Sequence, residues 1–204
     1  MKVGVIQASS QREKNPLIYD CTKRAAEPHG HTVINFGVFT EETADWSYVE
    51  TALLSSLLLS SGAVDFIVTG CSSGQGMMLA CNSLPGVLCG YLPTPQDAFL
   101  FGRINGGNAA SLPLGLGFGW MGEINLQCTL DKLFDGDFGV GWPPSESERK
   151  RRDTELLKTL NSAVKRPRAE CLARYPEELV KKAAGRENVM EYIRKFGKEP
   201  DIWA

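Results

Sequence analysis

The chain has 204 residues, 43% of them hydrophobic and 23% charged, with a formal net charge of -2. That is enough for one α/β domain with an appendage and too little for two catalytic domains of ordinary size. The charge balance offers none of the basic field that nucleic acid or an acidic membrane surface would require, so the expected partner is a small molecule.

The opening, MKVGVIQASS, carries one lysine and only a short apolar run. Neither a signal peptide nor a membrane span can be built on it, and the expected location is cytoplasmic. Six cysteines, Cys21, Cys71, Cys81, Cys89, Cys128 and Cys171, include no C-x-x-C pair. They are expected to be reduced thiols, with no metal site and no disulfide framework.

Lys2 to Gln7 is a short apolar run that suits a buried parallel strand, followed by a loop over Ala8 to Asn15. Pro16 to Pro28 has a helical pattern with proline at the first helical position, and Thr32 to Asn35 is a second strand. Ser47 to Ser61 is a leucine-rich helix with Gly62 placed to cap it. VDFIVTG from Val64 is a third strand, GCSSGQG a turn, and MMLACNSL the next helix. GVLCGYL from Gly86, a short helix over Pro95 to Arg103, a strand over Ala109 to Leu114 and a helix over Gly119 to Phe134 complete the alternation. Repeated strand and helix units predict a Rossmann-like, doubly wound, five-stranded parallel sheet over residues 1–141. Ligands are then expected at the carboxyl ends of the strands, where strand order reverses. After Gly141 the composition turns to WPPSESERKRRD, and residues 142–204 read as a helical extension of two or three polar helices. It is expected to wrap over the core or a neighbouring subunit.

The turn from Gly70 to Gly76 holds two hydroxyls, Ser72 and Ser73, the glycines Gly74 and Gly76, and free backbone N–H groups at a helix start. Such a loop binds oxyanions. Cys71 sits one residue before it, beside the positive end of a helix dipole, an arrangement that favours a thiolate. A base next to an oxyanion cradle is what aldose–ketose interconversion needs, since a proton moves between adjacent carbons through an enediolate. Taken alone, the same residues also suit a small buried thiol in a tight turn.

The stretch VDFIVTGCSSGQGMMLACNSLPGVLCGY resembles the signature segment of the ribose-5-phosphate isomerase B and galactose-6-phosphate isomerase family. The resemblance spans roughly residues 2 to 135. It implies a cofactor-free sugar isomerase in which Cys71 transfers the proton. Ser72, Ser73, Gly74, Gln75 and Gly76 would hold the enediolate oxygens, with Ser73 at the reacting centre. By family position, Ser9, Ser10, Arg12, Asn82, Asn105 and Asn108 would contact substrate, and Trp46 stands where relatives place a pocket tyrosine.

Three departures narrow the substrate. The Asp-His pair that ends the first strand in phosphopentose members is replaced by Ala8 and Ser9. Ile104 stands where those members carry a ring-opening histidine, and isoleucine cannot transfer a proton. SLPLGLGFGW lacks the basic residue that holds phosphate, a place Arg12, Arg103 or a tail residue would have to fill. An open-chain, phosphate-free keto-uronate fits all three. The INGGNA and GFGW segments are similar to a divergent branch that isomerises 4-deoxy-5-keto-hexuronates, that of 4-deoxy-L-threo-5-hexosulose-uronate ketol-isomerase. The alternatives are a phosphosugar isomerase and a non-catalytic sugar-binding relative. The resemblance further implies a homodimer or homotetramer, with a pocket between Cys71 and the INGGN loop of one subunit or two.

Other classes fit less well. A dinucleotide-binding oxidoreductase would place glycines after the first strand, where this chain has ASSQREKN. A phospho-acceptor receiver needs an aspartate where Cys71 stands. His29 and His31 flank a turn glycine and read as exposed turn residues rather than ligands. The ERKRRD run reads as a solvated helix face.

Overall fold

The computed structural model describes residues 1–201; the last three residues of the expected extension lie outside that range. Five strands, β1 (Lys2–Ile6), β2 (Thr32–Gly37), β3 (Phe66–Cys71), β4 (Cys89–Tyr91) and β5 (Ala109–Pro113), form one sheet. All neighbours are parallel, in the order β2-β1-β3-β5-β4. β1 and β3 are buried almost throughout, as expected where helices cover both faces and apolar runs need not alternate. This is the Rossmann-like architecture expected of the sequence.

The connecting helices are α1 (Asn15–Ala26), α2 (Tyr48–Ser60), α3 (Gln75–Asn82), α4 (Pro95–Leu100) and α5 (Gly122–Phe134). α2 begins at a capping box in which the Ser47 side chain accepts from the Glu50 N–H and the Glu50 carboxylate accepts from the Ser47 N–H. It ends at Gly62, whose φ of 68° supplies the left-handed turn a side chain would resist. Leu53, Leu54, Leu57 and Leu58 along it are buried, each contributing about 1.5–3 kcal/mol of transfer free energy.

Several boundaries differ from the sequence expectation. The first loop is a 3-10 turn over Ser9–Lys14, kinked at Gln11. The fourth helix ends at Leu100 and widens into a π-like turn over Phe101–Asn105. The last core helix starts at Gly122 rather than Gly119, because Gly117, Gly119 and Met121 take positive φ.

The extension holds four helices among the described residues, not two or three: α6 (Ser147–Val164), α7 (Arg168–Leu172), α8 (Glu177–Ala184) and α9 (Glu187–Phe196). Leu172, Ala183, Val189, Met190 and Ile193 join the core cluster that contains Ile6, Phe36, Leu53 and Leu57. α7, α8 and α9 therefore pack on the α2 side of their own chain. α6 is largely solvated, with Leu156, Leu160 and Val164 exposed.

Candidate active site

The strand order reverses between β1 and β3, so the loops leaving their carboxyl ends diverge around a crevice. Cys71 is the last residue of β3 and is 8% exposed. Its Sγ accepts a hydrogen bond of 3.2 Å from the Gly74 N–H at the head of α3. Gly74 has a φ of 74° and an added Cβ would lie 2.8 Å from the Leu112 carbonyl carbon and from the Tyr91 ring. Only glycine brings that N–H to the sulfur. From β5, the buried Ser111 hydroxyl donates to the Gly74 carbonyl at 2.6 Å. The Leu114 N–H donates to Cys71 O, and the Gly115 and Leu116 N–H groups to Ser72 O at 2.9 and 2.7 Å. The loops after β3 and β5 are thus tied together, and the Ala8 N–H joins the loop after β1 to Gly70 O at 3.0 Å.

Of the loop residues expected to meet substrate, Ser72 and Gln75 are exposed and Ser73 and Gly76 half-buried around the Cys71 end of the crevice. Ser72 Oγ donates to the exposed Ser10 Oγ at 3.3 Å, which brings the β1 and β3 loops face to face. The first-turn N–H groups of α3 have no intrahelical acceptor and open on the same side. An open depression of about 870 Å³ continues from Ala8, Ser9, Ser10 and Arg12 past Trp46 to Tyr48 and Lys182.

Some expected contacts are spent within the chain. Ser9 Oγ accepts from the Trp46 N–H at 2.6 Å and the Ser9 N–H donates to Trp46 O. The Arg12 guanidinium donates to the carbonyls of Ser9, Glu42 and Ala44 and pairs with Asp45 at 2.5 Å. It braces the loop after β2 and is not a free anion clamp. Arg103 likewise cannot replace the missing phosphate ligand: it is 4% exposed and donates to Leu133 O and Asp135 O. Trp46 is buried at the rim, with Lys182 Nζ 5.2 Å and Arg186 Cζ 5.1 Å from its ring centroid.

The asparagines lie elsewhere. Asn82 clips the end of α3 to β4, its Nδ2 donating to Cys89 O at 2.8 Å and its Oδ1 accepting from Cys89 N–H at 2.9 Å. Asn108 donates to Gly86 O and accepts from Leu88 N–H. Each amide thus makes one donated and one accepted hydrogen bond to backbone, a structural role beside the substrate contact expected of it. Asn105 is exposed, but at the wrong end for its own Cys71. Ile67 pairs with Ala109 and Cys71 with Pro113, so the INGGN loop lies before the amino end of β5, about 13 Å or more below Cys71 along the strands. One chain does not bring the two together.

Sequence reasoning passed over Gln11, Lys14, Glu42 and Arg186. Gln11 is 9% exposed; its Nε2 donates to Ser72 Oγ at 3.1 Å and its Oε1 accepts from Lys14 Nζ at 2.9 Å. Nothing in SSQREKN separates it from a solvated loop. Arg186, between α8 and α9, forms a two-point ion pair with Glu42 from the loop after β2 and donates to Phe36 O. Burial alone would raise the Glu42 pKa; hydrogen bonds from Arg186 and the Phe39 N–H, with the nearby cationic charges, outweigh it and hold it below its ordinary value. Glu50 is likewise lowered, burial being outweighed by Lys182 and the Ser47 N–H.

A sequence profile described as Ribose/Galactose Isomerase matches residues 10–127, more than half of the chain. The chain belongs to the ribose/galactose isomerase family. It is a sugar isomerase, an intramolecular oxidoreductase. Within the family, one solved structure is a 4-deoxy-L-threo-5-hexosulose-uronate ketol-isomerase complexed with a tartrate. It is 37% identical over 99% of this chain and 95% of its own, with a TM-score of 0.93. A ribose-5-phosphate isomerase from Vibrio parahaemolyticus is 38% identical over the same shares, with a TM-score of 0.92. A type B ribose 5-phosphate isomerase from Trypanosoma cruzi, 17% identical over 80% of this chain and 99% of its own, shares the fold at a TM-score of 0.64. No curated protein matches the chain by sequence. Among the described residues no helix is long and apolar enough to cross a membrane, and no cluster of three or more His, Cys, Asp or Glu could hold a metal ion.

Proposed function

We propose that this isomerase acts on an open-chain, phosphate-free keto-uronate of the 4-deoxy-5-keto-hexuronate type, with Cys71 as the base and without a cofactor. The observation that carries the reading is the Gly74 N–H on Cys71 Sγ at the strand-order reversal, with hydroxyl and backbone donors beside it. As thiolate, Cys71 takes the proton from C2 of the aldehyde sugar. The bonding pair becomes the C1–C2 double bond and charge moves to O1, where the donors of Ser72 to Gly76 stabilise it. The proton returns to C1 as the hydroxyl proton passes from O2 to O1, leaving a ketone at C2.

Ile104 in place of a ring-opening acid favours a substrate that is already open. The commitment of Arg12 and Arg103 to the chain's own carbonyls removes two candidate phosphate ligands. The 37% identical ketol-isomerase is named for such a uronate, and its tartrate is a hydroxy acid. The separation of Cys71 from Asn105 supports a site completed by the INGGN loop of a second copy in a cytoplasmic homodimer or homotetramer.

Proton exchange in deuterated water tests the reading, with ribose 5-phosphate, galactose 6-phosphate and the open-chain keto-uronate offered in parallel. Deuterium is expected beside the carbonyl of the uronate alone and is lost in Cys71→Ala with the fold intact. Exchange in a phosphosugar would overturn the substrate; undiminished exchange in Cys71→Ala would overturn the base.

A further inference from the structure

We infer that Gln11 is a positioning residue, held in one orientation by Lys14, whose task is to make the Ser72 hydroxyl a donor to the substrate. This rests on the isomerase reading above and adds a part of the machinery that neither motif nor family position indicates.

The argument runs along a chain of hydrogen bonds with only one consistent direction. A lysine ammonium donates and cannot accept. The Gln11 amide atom 2.9 Å from Lys14 Nζ must therefore be the oxygen, whichever way an amide is drawn. Nε2 is then the atom facing Ser72 Oγ at 3.1 Å, and it can only donate. Ser72 accepts on that side, so its own proton points away, toward the exposed Ser10 Oγ 3.3 Å off at the crevice mouth. A substrate oxygen arriving there meets a hydroxyl whose polarity is already set, one residue from Cys71.

Three further observations fit. Gln11 is buried at 9% exposure, although it sits among polar residues in a surface turn. Gly115 leaves the room: an added Cβ would lie 3.1 Å from Ser72 O and 3.2 Å from Gln11 Nε2. Lys14 has no carboxylate partner among the described residues; it packs 4.8 Å from the Phe118 ring centroid, so its charge is left to polarise the amide. By contrast, Arg12, Lys182 and Arg186 around the same mouth each pair with a carboxylate.

A donor fixed in advance helps most where negative charge develops, so it should act on kcat more than on KM. Gln11→Glu is close to isosteric, but its carboxylate only accepts and turns the Ser72 proton inward. We expect kcat for the uronate to fall about tenfold to a hundredfold with KM changed less than about threefold. Binding of a hydroxamate that mimics the enediolate should weaken in parallel. Lys14→Glu should reproduce the loss by flipping the Gln11 amide, whereas Lys14→Gln, which still offers a donor to Oε1, retains most turnover. A residue that merely props the loop would not separate these two Lys14 variants.

Undiminished kcat in Gln11→Glu, with the wild-type chain active, overturns the inference and leaves the function standing. Wild-type silence toward all the sugars overturns the functional reading. The orientation is then decided on the unliganded protein by side-chain amide NMR: contacts from the Gln11 NH2 protons to the Ser72 β-protons support it, and contacts to the Lys14 ε-protons overturn it.

Discussion

Arg186 and Glu42 lie 144 residues apart in sequence and meet in a two-point ion pair at the edge of the crevice. Their side chains are 10% and 17% exposed. Removing one partner strands the other charge in a poorly hydrated place, so Glu42→Gln should cost about 1–3 kcal/mol of stability. The same pair sets a pH dependence. The folded pKa of Glu42 lies below its ordinary value of 4.5, so its stabilisation is complete above that value and is lost as pH falls through the lower folded one. The gap in melting temperature between wild type and Glu42→Gln should thus be constant from pH 7 to about 5 and close at more acid pH. Thermal unfolding across that range measures it; a gap that widens on acidification would contradict the sign.

Gly74→Ala places a methyl against the Leu112 backbone and the Tyr91 ring at a positive φ. Destabilisation of about 2–4 kcal/mol is expected in urea unfolding. Folded protein should also turn over more slowly than its stability loss explains, because the N–H at Cys71 Sγ is displaced. Equal activity per folded molecule would mean that this N–H is idle in the chemistry.

Asn82→Ala separates a structural role from a substrate contact. Losing both hydrogen bonds to Cys89 leaves partly buried backbone groups unpaired, worth about 1–3 kcal/mol of stability. Turnover measured well below the melting temperature should be unchanged, whereas a raised KM would return Asn82 to the substrate site.

Mixing inactive chains tests whether the site is shared. If Cys71 and Asn105 act together only across two copies, Cys71→Ala and Asn105→Ala are each inactive alone. Refolded together as symmetric dimers in equal amounts, they should recover about a quarter of wild-type activity, since half the dimers carry one intact site of two. No recovery, with mixed dimers shown to form, would place the whole reaction in one chain.

The strands, the helix that follows the Cys71 loop and the doubly wound layout were legible because apolar runs, a glycine-rich turn and alternation of elements leave local marks. Gly62 could be read as a cap for the same reason. The backbone bonds of Asn82 and Asn108 were not legible, because an amide suited to a substrate hydroxyl is equally suited to a backbone N–H and C=O. Gln11 and Arg186 left no mark, since their partners come from 61 and 144 residues away. The helix count of the extension was low because α7 is only five residues long and reads as part of a polar linker.

The clasp of Arg186 on Glu42, and of Lys182 on Glu50 and the Asp45 carbonyl, carries an implication for the order in which the molecule matures. A ribosome releases all five strands and the Cys71 loop long before residue 182 emerges. At that stage the rim formed by residues 37–47 has Arg12 on Asp45 but lacks the grip of Lys182 and Arg186. The nascent chain thus carries the Cys71 loop in place around an unfinished opening, and residues 182 and 186, synthesised later, act as the fastener.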